Sequence, residues 1–318
     1  MATISGEGNV IYVEKAETLN EHRSKLVKAF QGWTEGLQSY SEVPTGMFGR
    51  VAIVKSGDVT LNSEELDLEF EVEFDDDLEA NEAHIIIYNL SQTTIEALKA
   101  KVSKENNNNI NITAGYEDDT GIIFDGTIVK VTSKWEGIDR VTTIKAVDFL
   151  TGTGEDVTEL TYKAGTKASY ILKDLLNRVT MPLVVFEPRR DYTYKDEVKV
   201  DGLVWEAIKQ YAEVCGISVY VNNRKVYARH LSEGDNINFT IGADTGLIES
   251  PEEFEEEITA EDYTDTIKGY KFKTLLQHRL TTGAIINLKS QNVSGQFRVR
   301  SGTHTFNESE SITEVEVV

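Results

Sequence analysis

Hydrophobic and polar residues alternate most regularly over Leu66–Phe74, which reads L-D-L-E-F-E-V-E-F. Successive side chains of a β-strand point to opposite faces, so the apolar residues face one way and Asp67, Glu69, Glu71 and Glu73 face the other. The pattern predicts a half-buried strand with a row of four carboxylates, about 7 Å apart, on its exposed face. Such a row requires water or cations around it.

Further β-patterns follow at short intervals, separated by turn residues. A short helix over Ile95–Val102, beginning after Ser91, interrupts them. Closely spaced antiparallel hairpins of this kind indicate a barrel or a sandwich. The predicted strands are His84–Leu90, Ile110–Tyr116, Ile122–Val131 and Val141–Phe149.

The middle of the chain predicts a small α+β module. Thr166 is placed to cap a helix over Ser169–Val179, and Asp201 is placed to cap a second helix. Gly216 stands where a helix-terminating glycine belongs. The predicted buried stripe of the second helix is Leu203, Val204, Ala207, Ile208, Tyr211 and Ala212.

A hairpin and a second β-unit complete the predicted elements. Ile217–Val221 and Lys225–Arg229 are expected to pair across an Asn222-Asn223 turn. We expect the acidic run Glu249–Asp262 to be a solvated linker, with an inserted loop as the alternative. The strands predicted after it are Thr266–Lys273, Ala284–Lys289, Gln296–Arg300 and Ile312–Val317.

The N-terminal segment predicts one amphipathic helix. Thr18 and Glu21 form a capping box, and apolar residues recur near helical spacing from Leu19 to Trp33. Met1–Asn20 lacks the apolar core of a secretory signal, and no run approaches the ~18 apolar residues of a membrane span. We therefore expect no signal peptide and no membrane anchor.

Composition indicates a folded protein of two or three domains. The chain has 318 residues, of which 40% are hydrophobic. The single cysteine, Cys215, excludes an internal disulfide and fits synthesis in a reducing cytoplasm. The net charge of −22 repels nucleic acid, although general solubility is the simpler explanation of an acidic chain.

The charge is unevenly distributed. Residues 58–98 contain thirteen acidic side chains and no Lys or Arg, and residues 231–262 contain eleven and none. Residues 161–230 between them contain twelve basic and eight acidic side chains. This distribution suggests separate domains in different surroundings.

Two D-T-G triplets, Asp119-Thr120-Gly121 and Asp244-Thr245-Gly246, are the strongest suggestion of catalysis, because aspartic proteases use paired carboxylates that share a proton. Both triplets lie in polar, turn-like sequence, whereas a catalytic pair needs a desolvated cleft. The interpretation as turns is therefore favoured.

No other catalytic or cofactor site is predicted. Cys215 near His230 is interpreted as a buried structural cysteine rather than a nucleophile. The five histidines lack metal-ligand spacing, and the glycines of Gly152–Gly154 do not lie between a strand and a helix as a dinucleotide loop would. Paired carboxylates for glycoside hydrolysis stay a minor alternative. We predict no enzyme activity, no cofactor and no metal.

The tryptophans divide between core and surface. Trp205 is expected in the core beside its helix stripe. Trp135 lies near a hairpin tip, where exposure and contact with a partner are expected.

Three motifs in order resemble the first tube-type domain of phage baseplate hub proteins: Ile85-Ile86-Ile87-Tyr88-Asn89-Leu90-Ser91, Thr113-Ala114-Gly115-Tyr116 and Ile123-Phe124-Asp125-Gly126-Thr127-Ile128. The later runs Leu275–Leu280, Leu288–Ser290 and Gly295–Val299, with Gly283 and His304, are similar to the C-terminal part of hubs from PBSX-type prophages, which are related to hubs of R-type bacteriocins. The resemblance covers about Val43–Val318.

The resemblance implies a mainly antiparallel α+β fold. It divides the chain into an N-terminal helical extension (1–44), a first tube-like β-barrel domain (45–155), an α+β module (156–238) and a second tube-like β-barrel domain (239–318). Three copies would form a pseudo-sixfold ring that joins the tail tube to a central spike.

The resemblance also implies partners and a location. The partners would be two further copies of the chain, the tail tube protein, the spike, other baseplate proteins and the tape-measure protein, in a baseplate assembled in the bacterial cytoplasm. We expect Asp67, Glu69, Glu71 and Glu73 to line the channel or an assembly surface, where they would repel passing DNA.

Two other functions are considered. A tail-associated cell-wall hydrolase or sugar-binding tail-tip protein is the first, and the chain offers little sequence for such a domain after the second β-unit. A plain tail-tube or distal-tail protein is the second, and two β-units in one chain favour the hub over it.

Overall fold

A computed structural model describes residues 49–102, 108–150, 156–260 and 263–318. Pro44–Val318 forms one compact unit. The predicted N-terminal helix and the G-x-G triplet of Gly152–Gly154 lie outside the described residues. The mainly antiparallel α+β fold is confirmed.

Seven strands and one helix form the first β-unit. Leu68–Phe74 alternates between buried and exposed side chains as predicted, beginning two residues later than expected. The elements are β1 (Arg50–Ser56), β2 (Val59–Asn62), β3 (Leu68–Phe74), β4 (Glu82–Tyr88), α1 (Gln92–Val102), β5 (Asn109–Tyr116), β6 (Asp119–Glu136) and β7 (Asp139–Val147).

Helix α1 begins at Gln92, directly after Ser91 and three residues before the predicted Ile95. The hydroxyl of Ser91 accepts a hydrogen bond from the Thr94 backbone N–H at 3.1 Å, which satisfies one of the free donors of the first turn. Ile95 and Leu98 are fully buried on its core-facing side.

The middle module contains two helices packed on short strands. Its elements are β8 (Asp156–Tyr162), α2 (Ala168–Leu176), β9 (Leu183–Phe186), β10 (Val198–Leu203), α3 (Val204–Cys215), β11 (Ser218–Asn222) and β12 (Lys225–Arg229). Strands β11 and β12 form a hairpin, and β9 adds to β12 in parallel.

Both predicted helix caps in this module are wrong. The Thr166 hydroxyl donates to the Lys163 carbonyl, and the carboxylate of Asp191 instead accepts the Ser169 backbone N–H at 3.0 Å. Asp201 lies within β10, and α3 begins after Leu203 without a side-chain cap. A residue distant in sequence can supply a cap, which local spacing does not reveal.

The end of α3 and the hairpin that follows depend on left-handed backbone. Gly216 ends the helix at φ 66°, as predicted. The hairpin turn is Asn223-Arg224, both at positive φ, because Asn222 pairs with Lys225. The turn predicted at Asn222-Asn223 is therefore displaced by one residue.

The second β-unit contains β13 (Asp235–Gly242), a 3-10 helix (Ala243–Thr245), β14 (Glu252–Ala260), β15 (Tyr263–Leu275), β16 (Ala284–Lys289), β17 (Ser294–Phe306) and β18 (Ser311–Val317). The linker predicted at Glu249–Asp262 is wrong, because most of this run is strand β14, paired antiparallel with β15. Lysines of β15 offset its charge: Lys271 lies opposite Glu252, and Lys268 bonds to Glu255.

One sheet runs through both β-units. Its strand order is β14-β15-β18-β17-β3-β4-β7-β6-β5-β1-β2, with β16 beside β17 and β13 beside β16. The two units meet where β17 pairs antiparallel with β3, from Gly302 opposite Phe74 to Phe306 opposite Phe70. The junction is therefore made of backbone hydrogen bonds rather than of side-chain contacts alone.

Three hydrophobic clusters lie under these elements. One fills the first β-unit, one the middle module and one the second β-unit. The clusters exchange residues at the junction: Phe306 of β17 belongs to the first and stacks on Phe70 at 5.4 Å between ring centroids. Phe74 of β3 belongs to the third and lies 4.9 Å from the His304 ring.

A buried ion pair fixes the same junction. The Arg298 guanidinium contacts the Asp76 carboxylate at 2.7 Å, and both side chains are less than a tenth exposed. Asp76 follows β3 in an acidic turn, and Arg298 lies on β17, so the bond ties the first β-unit to the second. Arg300 reaches the same carboxylate at 3.5 Å.

Replacing Arg298 with alanine is expected to lower the free energy of unfolding by about 3–5 kcal/mol, because Asp76 would keep a buried charge without its nearest partner. Urea unfolding of the purified chain measures the change. The matched control is Arg178→Ala, which removes an exposed ion pair with Asp174 and should cost about 0–1 kcal/mol. Equal losses in the two variants would contradict the structural role of the buried pair.

Candidate functional site

The exposed face of β3 carries the carboxylates predicted from the sequence. Glu69, Glu71 and Glu73 point away from the core, with Glu71 and Glu73 exposed and Glu69 half-buried. Asp67 precedes the strand and is exposed. The structure thus places three of the four residues on one strand face and the fourth just before it.

These carboxylates influence one another. Burial raises the pKa of Glu69, and the negative charges of Asp67 and Glu308 add to that rise. The charge of Glu69 in turn raises the pKa of the nearby Tyr88 phenol. In the described part of the chain, none of the four carboxylates forms an ion pair.

The strands around β3 carry a different charge pattern on the same face. On β17, Thr305 and Thr303 lie opposite Glu71 and Glu73. Acidic residues farther away are neutralised in pairs: Lys273 contacts Glu314 at 2.7 Å, Lys271 contacts Glu316 at 3.3 Å, and Lys145 contacts Glu82 at 2.6 Å. Uncompensated negative charge on this face is therefore concentrated along β3.

The hairpin between β6 and β7 ends in exposed apolar side chains. Trp135 is 68% exposed and Ile138 is 90% exposed. The Arg140 guanidinium lies 5.9 Å from the indole centroid and covers it only in part. The expected exposure of Trp135 is confirmed. A hairpin tip with exposed apolar side chains is suited to insertion into the surface of a partner protein.

The first D-T-G triplet is a structural contact. The Asp119 carboxylate accepts two hydrogen bonds from Arg279, at 2.6 and 2.7 Å, and this guanidinium holds the pKa of Asp119 below its usual value. Gly121 lies against the His278 ring, which occupies the space that a Cβ would need. The triplet thus joins the β5–β6 turn to the loop after β15.

The second triplet is a turn. Asp244 and Thr245 lie in the 3-10 helix, and Gly246 follows at φ 98°. The Thr245 hydroxyl donates to the Thr240 carbonyl and accepts the Gly242 N–H, each at 2.7 Å. The second triplet is therefore the turn that the sequence indicated, whereas the interpretation of Asp119-Thr120-Gly121 as a turn is wrong, because these residues begin strand β6 and pair with β5.

Cys215 and Trp205 are core residues of the middle module. Cys215 is fully buried, and burial raises the pKa of its thiol to about 11, so the nucleophilic thiolate is disfavoured. Trp205 packs on Phe149 at 5.1 Å between ring centroids. Among the residues that the structure describes, no three His, Cys, Asp or Glu side chains are placed to hold a metal ion.

A polar cluster at the meeting point of the three hydrophobic cores was missed by sequence reasoning. Asn81 donates its backbone N–H and side-chain amide to the Asp148 carboxylate, at 3.0 and 2.8 Å, and also donates to the Val221 carbonyl of the module. Thr282 of the second β-unit donates to the Asp75 carbonyl. The sequence presents these residues only as turn formers, because their partners are distant along the chain.

Burial makes this cluster sensitive to protons. It raises the pKa of Asp148 to about 7, and the nearby charge of Asp75 adds to the rise. The pKa of Asp75 is also raised, by burial first and then by Asp77. The hydrogen bonds from Asn81 oppose the rise at Asp148 but do not cancel it.

The fold has relatives among solved structures. A tail protein from Neisseria meningitidis MC58 matches with a TM-score of 0.57 at 10% identity, over 85% of this chain and 96% of that chain. The 43 kDa tail protein of prophage MuSo2 from Shewanella oneidensis matches with a TM-score of 0.54 at 6% identity, over 84% and 97% of the two chains.

A third match is the E. coli c3393 protein, a component of the type VI secretion system with structural similarity to the T4 bacteriophage tail proteins gp27 and gp5. Its TM-score is 0.54 at 11% identity, over 83% of this chain and 76% of that chain. No protein-family model and no curated protein sequence matches the chain. The likeness establishes the fold, which is that of phage tail and baseplate proteins, as the resemblance predicted.

The described residues contain no helix long and apolar enough to cross a membrane.

Protonation of Asp148 should stabilise the chain at mildly acidic pH. The folded-state pKa of Asp148, about 7, lies above the unfolded value of about 4. The stability that its protonation adds to the folded state is therefore fully present below pH 4 and is lost as the pH rises through 7. We expect the free energy of unfolding of the wild type, minus that of Asp148→Asn, to fall by about 1 kcal/mol between pH 6 and pH 8. Urea unfolding at both pH values measures this difference, and a constant difference would contradict the raised pKa.

Proposed function

We propose that this chain, which has the fold of phage tail and baseplate proteins, is a structural baseplate hub of a contractile phage tail or phage-tail-like bacteriocin. Three copies would form a pseudo-sixfold ring between the sixfold tail tube and a threefold spike. The observation that carries the proposal is the single sheet through two β-units, joined by β17 and β3. A chain with two such units supplies six of them in three copies.

The proposed domain division follows the resemblance: 1–44, 45–155, 156–238 and 239–318. It is supported by three hydrophobic clusters, whose members come mainly from the last three of these ranges. Under this proposal the first and third clusters belong to ring-forming units, and the middle module is an elaboration outside the ring.

We further propose that the exposed face of β3 lines the channel. Glu69, Glu71 and Glu73 form the row of carboxylates without ion-pair partners in the described chain, and Asp67 extends it. A carboxylate-lined passage repels DNA phosphates, so DNA passes without adhering. Lysine-paired carboxylates on the neighbouring strands would contribute less to that repulsion.

The proposed partners are two further copies of the chain, the tail tube protein, the central spike, the tape-measure protein and other baseplate proteins. The exposed hairpin tip at Trp135 and Ile138 supports contact with a partner, because burying two large apolar side chains is favourable. The proposed location is the baseplate of a tail particle assembled in the bacterial host.

A non-enzymatic role is part of the proposal. Two of the catalytic candidates have structural surroundings: Asp119 is paired with Arg279, and Cys215 is buried with a raised thiol pKa. Nothing in the described residues favours the alternative of a cell-wall hydrolase or sugar-binding protein.

A density map of the tail particle tests the hub. We expect three copies around the axis between tube and spike, with the exposed face of β3 directed at the channel. A map that places β3 on the outer surface of the ring would contradict the channel proposal. A map in which the chain does not lie around the tail axis would contradict the hub proposal.

The charge of the channel can be tested separately in a DNA-containing particle. Replacing Glu69, Glu71 and Glu73 together with glutamine should reduce DNA delivery, by about tenfold, while tail assembly is retained. The matched control replaces three exposed glutamates of the middle module, Glu159, Glu206 and Glu213, with glutamine. Equal delivery by both variants would contradict a role of the β3 row in DNA passage.

A further inference from the structure

Several edges of the described sheet have no second strand beside them, including those of β2 and β13; two others, on β14 and β6, concern the junction between the β-units. Strand β14 pairs with β15 on one side only. Strand β6 pairs with β5 through Asp119–Thr127 and, on its opposite edge, with β7 through Thr127–Glu136. The edge of Lys130–Glu136 that faces away from β7 therefore has no strand neighbour in the described chain. Open edges of this kind present N–H and C=O groups that a further strand can pair with.

The two β-units repeat one pattern of strand pairing. The first has the order β3-β4-β7-β6-β5, and the second has the order β14-β15-β18-β17-β16. In both, one long strand changes partner along its length, and its hairpin with the next strand carries a register shift. The shift lies between Ile128 and Lys130 in β6 and between Val299 and Ser301 in β17. Strand β6 therefore corresponds to β17, and β3 corresponds to β14.

This correspondence identifies the open edges. Within the chain, β17 uses its second edge to pair with β3. The corresponding edge of β6 and the outer edge of the corresponding strand β14 both lack a partner in the described chain. We infer that β14 of one copy pairs antiparallel with Lys130–Glu136 of a second copy, repeating between copies the β3–β17 junction that each chain makes internally.

The register of the new pairing follows from rows of residues across the sheet. In the first unit one row runs Glu71, His84, Lys145, Lys130. In the second the matching row runs Glu252, Lys271, Glu316, Ser301. Inside the chain, Glu71 pairs with Thr305, four residues beyond Ser301. Glu252 should therefore pair with the residue four beyond Lys130, which is Lys134.

This register brings opposite charges together. Lys134 would lie opposite Glu252, and on the same face of the sheet Lys130 would lie opposite Glu256, whose carboxylate also contacts Arg300 of its own chain. Lys134 is 70% exposed and bonded only to Glu136, a surface pair that exchanges at little cost. In the same register Trp135 lies opposite Pro251, so pairing would cover part of an exposed indole. Complementary charge of this kind fixes register and excludes wrong partners.

The contact joins different surfaces of the two copies, so it is heterologous and closes into a ring when the rotation allows. Eight strands, from β14 to β6, would then continue around the ring from each copy. The strand pairing is inferred from the sheet alone, whereas the number of three copies rests on the proposed function.

Disulfide trapping tests the pairing. Chains carrying Lys134→Cys are mixed with chains carrying Glu252→Cys under mild oxidation, and the native Cys215 is fully buried and stays out of reach. The matched control replaces Glu252→Cys with Glu256→Cys, which displaces the thiol by about 13 Å along the strand. We expect at least fivefold more disulfide-linked heterodimer from the first mixture, and equal yields, or none from either mixture, would overturn the pairing.

A chain that carries both Lys134→Cys and Glu252→Cys separates this inference from the proposed function. Cross-linked species that end at three copies support both. A ladder that continues past three supports the strand pairing and contradicts the three-copy ring. A trimer by native mass spectrometry without cross-links at this pair contradicts the strand pairing and leaves the hub proposal standing.

Charge reversal provides a second measurement. Lys134→Glu should reduce association of the copies about tenfold, because like charges would face each other across the new pair of strands. Adding Glu252→Lys to the same chain should restore it. Failure of that restoration, with the chain still folded by circular dichroism, would overturn the register.

Discussion

Strand β17 pairs with β3 over five residues, and the relative position of the two β-units depends on this pairing. Because a sheet's side-chain period is two, a shift of one residue would turn the carboxylate face of β3 towards the core. The stacked rings of Phe70 and Phe306, and of Phe74 and His304, hold the pairing in register from the core side. On the opposite face, the carboxylates of β3 lie beside threonines and stay solvated.

Buried polar contacts restrict the relative orientation of the two β-units beyond what the strand pairing does. The Asp76–Arg298 pair and the Asn81–Asp148 hydrogen bonds both lie where the hydrophobic cores meet. Apolar contacts tolerate several orientations of two units, whereas a buried charge is satisfied only when its partner is in place. These bonds therefore penalise arrangements in which the units rotate or separate, even where the area of apolar contact would be similar.

Charge has three different roles in the described chain. Along β3 it stays uncompensated on a solvated face. Along β14 it is partly offset by lysines of β15, and it protects an exposed edge strand from unspecific pairing. At Asp76 and Asp119 it forms ion pairs between distant segments. A net charge of −22 therefore does not describe one property, and the location of each carboxylate determines what it does.

The sequence by itself determined the local elements. Alternation at Leu66–Phe74 predicted strand β3 and its carboxylate face, and Ser91 and Gly216 correctly indicated the start of one helix and the end of another. Those signals are local, since a strand's two faces and a helix's free ends are decided by residues a few positions apart. The tertiary structure alone decided that Asp191 caps α2, that the run of glutamates after Pro251 is strand β14, and that Asp119 binds Arg279. Each of these depends on a partner supplied by a distant segment, here a loop, an adjacent strand or a second β-unit, and local spacing does not specify which distant residue the fold brings into contact.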